Sequence, residues 1–443
     1  MTGLPLTSAP SLGRGTHLGY ALGSVGTAAF GTVPGLLLLY YLTDVLGVGA
    51  GVAGLVVFAP KAWDVLLNPW VGARSDSTTH RWGPRRPWML AGGLALPPLF
   101  VLVFAGPGGP TWLAATWVAV AFLLAATAYG LFQVPYVAQP AEITLDPGER
   151  STLVSWRVAA LALGILLAGA GAPAVVDLAG GGRAGYLAMA GFVAVLLAVG
   201  MLGAVVGTRS ARTLTRVHSE GRLRDTLRVA ARVRPFRLLL AAFVVQALGI
   251  GVMLAGVPYY ARQVLGDPAA GTLLFAALVG PAIVVMPLWL RLGRRVGKRT
   301  GLLAAGTVFA VGAAGLSLGA PGRTALVLGL VVVVGIGYAG LQMFPLAMLP
   351  DVVAADEAAS GRRRAGVFTG VWTAAETLGL AVGPGLLGGL LALAGYRSSV
   401  GDAVVAQTAA ADTTVLLGFS LLPAALVLAS LPLIARYRLE PAP

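Results

Sequence analysis

Apolar residues fall in blocks of roughly 18 to 25, each long enough to cross a bilayer core of about 30 Å as a helix. Twelve such blocks occur, at 18–42, 51–73, 88–105, 112–137, 153–176, 186–207, 236–260, 270–291, 301–318, 324–347, 366–392 and 414–436. The polar connections between them are short, apart from "GTRSARTLTRVHSEGRLRDTLRVAARVRPFR" (207–237) near the middle. The pattern predicts an all-α membrane protein with twelve transmembrane helices. It divides into an N-terminal six-helix half (1–206), a cytoplasmic linker (207–235) and a C-terminal six-helix half (236–443). The linker reads as a basic amphipathic helix on the membrane surface. Loop signatures repeat between the halves. "GARSDSTTHRWGPRRPW" after the second block is answered by "RLGRRVGKRTG" after the eighth, and "PYVAQPAEITLDPGERSTLVSWR" by "PLAMLPDVVAADEAASGRRRAG". Two pseudo-symmetric six-helix halves are a transporter plan, with substrate expected near the midplane between them.

Composition agrees with this solvent: 57% of the 443 residues are hydrophobic and 11% are charged, too apolar a balance for a soluble chain. The net charge of +14 raises nucleic acid as a partner, but the placement of the charges excludes it. Arginines crowd alternate connections, at Arg74 to Arg86, Arg209 to Arg237, Arg291 to Arg299 and Arg362 to Arg364, and are sparse in the others. This positive-inside asymmetry places those loops and both termini in the cytoplasm of a multi-pass protein of the cell (inner or plasma) membrane. The start "MTGLPLTSAPSLGRGTHLGY" is polar and the apolar run after it is too long for a cleaved signal, so the first helix is expected to direct insertion. With no cysteine, thiol chemistry and disulfides are excluded. His17, His80 and His218 read as terminal or loop residues, against a buried histidine metal centre. The two lysines, Lys61 and Lys298, lie in no phosphate-binding loop, so ATP-driven transport and enzymatic chemistry are not expected. No cofactor is implied beyond a coupling ion, H+ or Na+.

Polar residues inside the apolar blocks carry the candidate chemistry. "PKAWDVLLNP" (60–69) places Lys61, Asp64 and Asn68 at i, i+3 and i+7, on one helix face. Ionisable groups at membrane depth are costly and usually line a polar pathway; pairing of Lys61 with Asp64 is equally compatible with this spacing. Glu376, in "GVWTAAETLGLAVGPG", has no basic residue within a turn and is a candidate proton carrier or solute contact. Arg157 either reaches the cavity or snorkels towards the cytoplasm. The loop charges Asp76, Arg81, Arg85, Arg86, Glu142, Asp146, Glu149, Arg150, Asp351, Asp356, Glu357 and Arg363 form a candidate gating network, each weak alone at an exposed surface. The 62 glycines permit close helix approach and bending.

Four stretches, "LLYYLTDVLG" (38–47), "WDVLLNPWVGARSDSTTHRWGPRRPW" (63–88), "VPYVAQPAEITLDPGERSTL" (134–153) and "PLAMLPDVVAADEAASGRRRAGVFTGVW" (345–372), resemble the glycoside-pentoside-hexuronide:cation symporter family, melibiose-transporter-like members of the major facilitator superfamily. The resemblance implies the major facilitator fold and cation-coupled uptake of a sugar or glycoside. The family's paired acids in helix two fall on Asp64 and Asn68, so one carboxylate is missing. Its sugar-binding acids fall on Ala28 and Gln133, its helix-four tryptophan on Val137 and its helix-eleven lysine on Thr377, whereas Arg157 matches and Tyr136 keeps an aromatic beside Pro135, so Gln133, Tyr136, Arg157, Glu376 and Thr377 are the expected substrate-cavity residues.

The expected function is secondary active transport of a small solute by alternating access, with symport favoured. Proton-coupled export, lysolipid or amphiphile transport and a non-transporting membrane sensor are the alternatives. The expected partners are the solute and membrane lipid, and the protein is expected to be monomeric. Cysteine placed at Thr78 or Glu220 should resist a membrane-impermeant thiol reagent added outside intact cells; rapid labelling at either position would reverse the topology.

Overall fold

A computed structural model describes residues 12–438 apart from 145, 212–231, 361–364, 402 and 404. Among the described residues the chain is helical, with no named strand and one isolated bridge between Leu46 and Val400. The helices are α1 (Arg14–Val33), α2 (Ala50–Asp76), α3 (Arg86–Phe104), α4 (Thr111–Ile143), α5 (Pro147–Leu178), α6 (Gly182–Gly207), α7 (Arg234–Tyr259), α8 (Ala270–Val296), α9 (Lys298–Gly315), α10 (Thr324–Ser360), α11 (Ala365–Leu393), α12 (Ala409–Phe419) and α13 (Leu421–Ala435). Eleven are long and apolar enough to span a membrane, and α12 with α13 makes a twelfth span bent by 40°. The protein is a multi-pass membrane protein with two six-helix halves.

Three expectations need correction. The last apolar block, read as one helix over 414–436, begins at Ala409 and breaks at Ser420, whose backbone (φ −112°, ψ −80°) leaves the helical region. His17 stands in the first turns of α1 rather than in a terminal coil. α4 and α10 continue to Ile143 and Ser360, well past the apolar ends at 137 and 347. Apolar runs mark where hydrocarbon ends, and alanine-rich, acidic segments such as "VAADEAAS" carry the helix onward. The amphipathic helix expected in the linker lies outside the described residues, between α6 and α7.

α1 and α7, the first helices of the two halves, are both followed by π-helical turns, at Pro34–Leu38 and Tyr41–Val45 after α1 and at Tyr260–Val264 after α7. Such turns are rare and concentrate at functional sites. Here the last two follow an internal repeat, YYLTDVLG (40–47) and YYARQVLG (259–266), in which each closing glycine adopts positive φ, 73° at Gly47 and 69° at Gly266. At this end of the bundle, the far end from the arginine-rich loops, the halves pack closely. A Cβ on Gly388 of α11 would lie 2.7 Å from the Ala50 carbonyl and 2.9 Å from the Gly54 Cα of α2. Exposed Leu66, Val284 and Leu288 belong to the outer, lipid-facing surface expected of such a bundle.

The glycine contacts separate folding from closure. Gly383 packs on the Gly251 backbone inside the second half, so Gly383→Val should lower stability by about 1–3 kcal/mol, seen as a lower thermal unfolding temperature in detergent. Gly388→Val should leave unfolding temperature near normal and instead hold the far end open, raising reagent access from that side.

Candidate functional site

Pro60 and Pro69 bracket the polar stretch of α2. Each proline removes a backbone donor and frees a carbonyl four residues earlier, which softens the helix where its polar side chains stand. Asp64 is buried at 3% exposure and its Oδ1 has no hydrogen-bond partner. Asn68 Oδ1 and Gln133 Oε1, the latter on α4, are likewise buried and unpartnered. α4 approaches α2 here because residue 130 is glycine: a Cβ there would lie 3.2 Å from Asn68 Oδ1. Three acceptors without donors are an unusual concentration, since each lost hydrogen bond costs about 1–3 kcal/mol. The cluster is built to receive a proton, a cation or a donating solute.

The expected Lys61–Asp64 ion pair is not formed among the described residues. The Lys61 ammonium lies over Phe30, 4.8 Å from the ring centroid, with Tyr129 at 5.7 Å and Phe122 at 6.0 Å. A desolvated cation over such faces gains about 2 kcal/mol, which offsets part of the lost ion pairing and holds the cation beside the carboxylate without neutralising it by contact. Arg157 makes the same kind of contact, its guanidinium 5.6 Å from the Tyr136 ring. Tyr136 itself is fully buried; its hydroxyl donates to the Tyr20 carbonyl at 2.7 Å and lies 2.8 Å from Ser24 Oγ. Tyr136 therefore supports Arg157 from within the first half rather than lining a cavity. Tyr129, stacked on Phe30, stands within electrostatic reach of Asp64, Arg157 and Glu376. Glu376 on α11 thus faces the same region from the second half, while the neighbouring Thr377 hydroxyl donates to the Thr373 carbonyl at 3.0 Å.

Two groups of loop charges, around Arg85 and around Lys298, each brace one half. Arg85, 4% exposed, bridges Asp76 and Glu142, with its NH2 2.7 Å from Glu142 Oε1, and donates to Ser75 Oγ at 2.6 Å. Lys298 pairs with Asp351 at 2.6 Å in the second half. Arg86 donates to the carbonyls of Thr208 and Ala211 at the end of α6, and Arg81 stacks on Trp82. Asp146 caps α5 by accepting from the amides of Gly148 and Glu149; Glu149 accepts from the Leu12 amide and the Thr144 hydroxyl; Arg150 donates to the Thr144 carbonyl. Asp356 and Glu357 stand near the end of α10, and Arg363 lies outside the described residues.

The connection across the halves lies at the far end, in residues that the sequence reading passed over. Asp44, 2% exposed, accepts from the Tyr396 hydroxyl at 2.9 Å through Oδ1 and from Thr43 at 2.6 Å through Oδ2. Thr43 Oγ1 lies 2.6 Å from the Tyr259 hydroxyl, and Arg262 donates to the Tyr40 hydroxyl. The amides of Ser399 and Gly401 donate to the carbonyls of Thr43 and Val45. A cavity of about 540 Å³, lined by Tyr40, Asp44, Asp177, Arg262 and Gln263, lies against this closure. The YYLTDVLG/YYARQVLG repeat was the available signal for it.

Comparison with known proteins agrees with the helical membrane architecture. The family described as MFS/sugar transport protein matches residues 19–441. "Inner membrane symporter YicJ" of Escherichia coli (strain K12) is 25% identical, covering 95% of this chain and 90% of its own length. "Isoprimeverose transporter" of Lactiplantibacillus pentosus is 24% identical over 81% of this chain and 76% of its own. Among solved structures, a mutant form of the nucleoside transporter NupG superposes with a TM-score of 0.67 at 13% identity, covering 95% of this chain and 100% of that one.

Tyr396→Phe removes a donor to a buried carboxylate of the opposite half, a loss of about 1.5–3 kcal/mol to the closed far end. A cysteine at Thr377 should then label from the far side at least about tenfold faster than in the parent; an unchanged rate would remove Tyr396 from the closure.

Proposed function

Because the chain belongs to the MFS/sugar transport family, and is therefore a secondary transporter related to symporters, we propose that it couples uptake of a sugar-sized solute to proton entry through Asp64. The observation that carries this reading is the buried Asp64 carboxylate, whose Oδ1 has no partner and whose neighbouring lysine is held over aromatic rings. A hard metal cation prefers several oxygen ligands and net negative charge. The carboxylate–amide pair of Asp64 and Asn68 supplies one charge where two acids would supply two, which favours a proton. The positive-inside rule assigns the arginine-rich end to the cytoplasm of a cell membrane, so the far-end closure is extracellular and the conformation faces inward. Arg157 and Gln133 face the solute from the first half and Glu376 from the second, so that loading can bias the rocking of one half against the other. Glycosides or other sugars are the solute class that the symporter relatives support, carried by a monomer.

In proteoliposomes screened by counterflow with isoprimeverose, glucose and glucosamine, the solute that exchanges should accumulate under an imposed inside-alkaline pH gradient. A sodium gradient at fixed pH should not drive it. Asp64→Asn should abolish accumulation while keeping part of the exchange. Sodium-driven accumulation in the parent would overturn proton coupling, and full accumulation by Asp64→Asn would remove Asp64 from the mechanism.

A further inference from the structure

The charge inventory around Tyr129 is balanced in number but not in partnership. Lys61 and Arg157 both stand on α2 or α5 of the first half, and each rests on aromatic faces. Asp64 on α2 and Glu376 on α11 stand on opposite halves, and among the described residues neither makes an ion pair. A carboxylate at membrane depth without a cation is costly, and its retention points to a charge that arrives from outside the chain. Asp64 is accounted for by the coupling ion. Glu376 is not.

The helix face around Glu376 adds a second observation. Trp372, one turn earlier at i−4 and therefore on the same face, is 2% exposed and its indole Nε1 has no hydrogen-bond partner. Its ring stacks on Phe243 of α7 at 4.3 Å between centroids, which fixes its position within the second half. Tyr338 of α10 and Tyr129 of α4 are the other groups within electrostatic reach of Glu376. The face thus combines a carboxyl group without an ion pair, an unpartnered N–H donor and flanking aromatic rings. A neutral sugar satisfies the donor but leaves the anion unneutralised, and a sugar acid repels it. A protonated amine that also carries hydroxyl groups satisfies both: the ammonium donates to Glu376 and a hydroxyl accepts from Trp372.

We propose that Glu376 of α11, one turn from the unpartnered indole of Trp372, receives an ammonium group on the transported solute, so that the cargo is a hydroxylated amine of the amino-sugar class. This rests on the reading of the protein as a proton-coupled transporter with Asp64 as the coupling group. Binding then spans both halves, with the coupling ion on the first and the solute's charge on the second. A solute that joins the two halves electrostatically ties its own occupancy to their relative movement.

The test is binding to purified protein in nanodiscs, read by tryptophan fluorescence at fixed pH with three probes of one ring size: glucosamine, N-acetylglucosamine and glucuronate. Glucosamine should bind at least about tenfold more tightly than either of the others. Glu376→Gln should weaken glucosamine at least about tenfold with an unchanged thermal unfolding temperature, and Glu376→Asp should recover most of the loss. Asp64→Asn should abolish the gradient-driven accumulation of glucosamine. Equal or tighter binding of the neutral or anionic probe, indifference to Glu376→Gln, or no binding of glucosamine would each overturn the proposal. If glucosamine fails while glucose accumulates under a pH gradient, this inference falls and the proton-coupled reading stands. If glucosamine binds through Glu376 but no gradient drives it, the coupling assignment falls instead.

Discussion

A carboxylate enclosed by an apolar bundle is costly without hydrogen-bond donors, and Asp44 draws one of its donors from the other half of the molecule. Its bonds to Tyr396 and Thr43, with the Thr43–Tyr259 contact beside them, make the far end a shared structure rather than a seam between neighbours. The rest of the conformation follows from that constraint. With the halves joined there, the close α2–α11 approach at Gly54 and Gly388 is available, while at the opposite end Arg85 with Asp76 and Glu142, and Lys298 with Asp351, each brace one half. The closure consists mainly of hydroxyl contacts, backbone bridges and one buried acid. The neutral contacts are worth about 1 kcal/mol each and the bonds to the acid about 1.5–3 kcal/mol, so a bias of a few kcal/mol can open it.

The site stands between the two ends and follows a consistent division of labour. The cations of the first half are held on aromatic faces, Lys61 on Phe30 and Arg157 on Tyr136. This leaves oxygen atoms of Asp64, Asn68 and Gln133 unsatisfied at the depth where a transported ion or solute must be recognised. In the proposed mechanism their unmet valence is relieved on binding, which would tie occupancy to the conformational equilibrium. Prolines 60 and 69, on either side of the α2 stretch, give that helix room to adjust as occupancy changes.

The architecture was largely legible in the order of apolar blocks. The span count, the two-half plan and most helix starts follow from hydrocarbon thickness and arginine placement, because a bilayer imposes its dimensions on sequence more strictly than water does. The bend at Ser420 was not legible, since "GFSLLP" remains apolar through the break. The extensions of α4 and α10 were missed because polar helix beyond the membrane carries no hydropathy signal. At the site, Lys61, Asp64 and Asn68 lie on one helix, where their spacing keeps them on one side. Whether Lys61 turns to the acid or to the rings depends on Phe30, Phe122 and Tyr129, which lie on α1 and α4 and are remote in sequence. Tyr136 was placed in the cavity by its motif, but its hydroxyl is committed to Tyr20 and Ser24. The far-end closure was present as a repeat in which Asp44 corresponds to Gln263. Its meaning emerges only when the π-turns bring the two copies together.

The central claim is that the two ends move reciprocally about the site, with the Asp44 closure holding one of them shut. Pulsed electron paramagnetic resonance on two doubly spin-labelled forms tests it directly, using Thr79 with Thr300 for the arginine-rich end and Thr111 with Ala325 for the far end. The sequence has no native cysteine to compete for the label. When Asp44→Ala is introduced, the far-end distance should lengthen and the arginine-rich-end distance should shorten in the same population. Lengthening at both ends, or no change at either, would contradict the account.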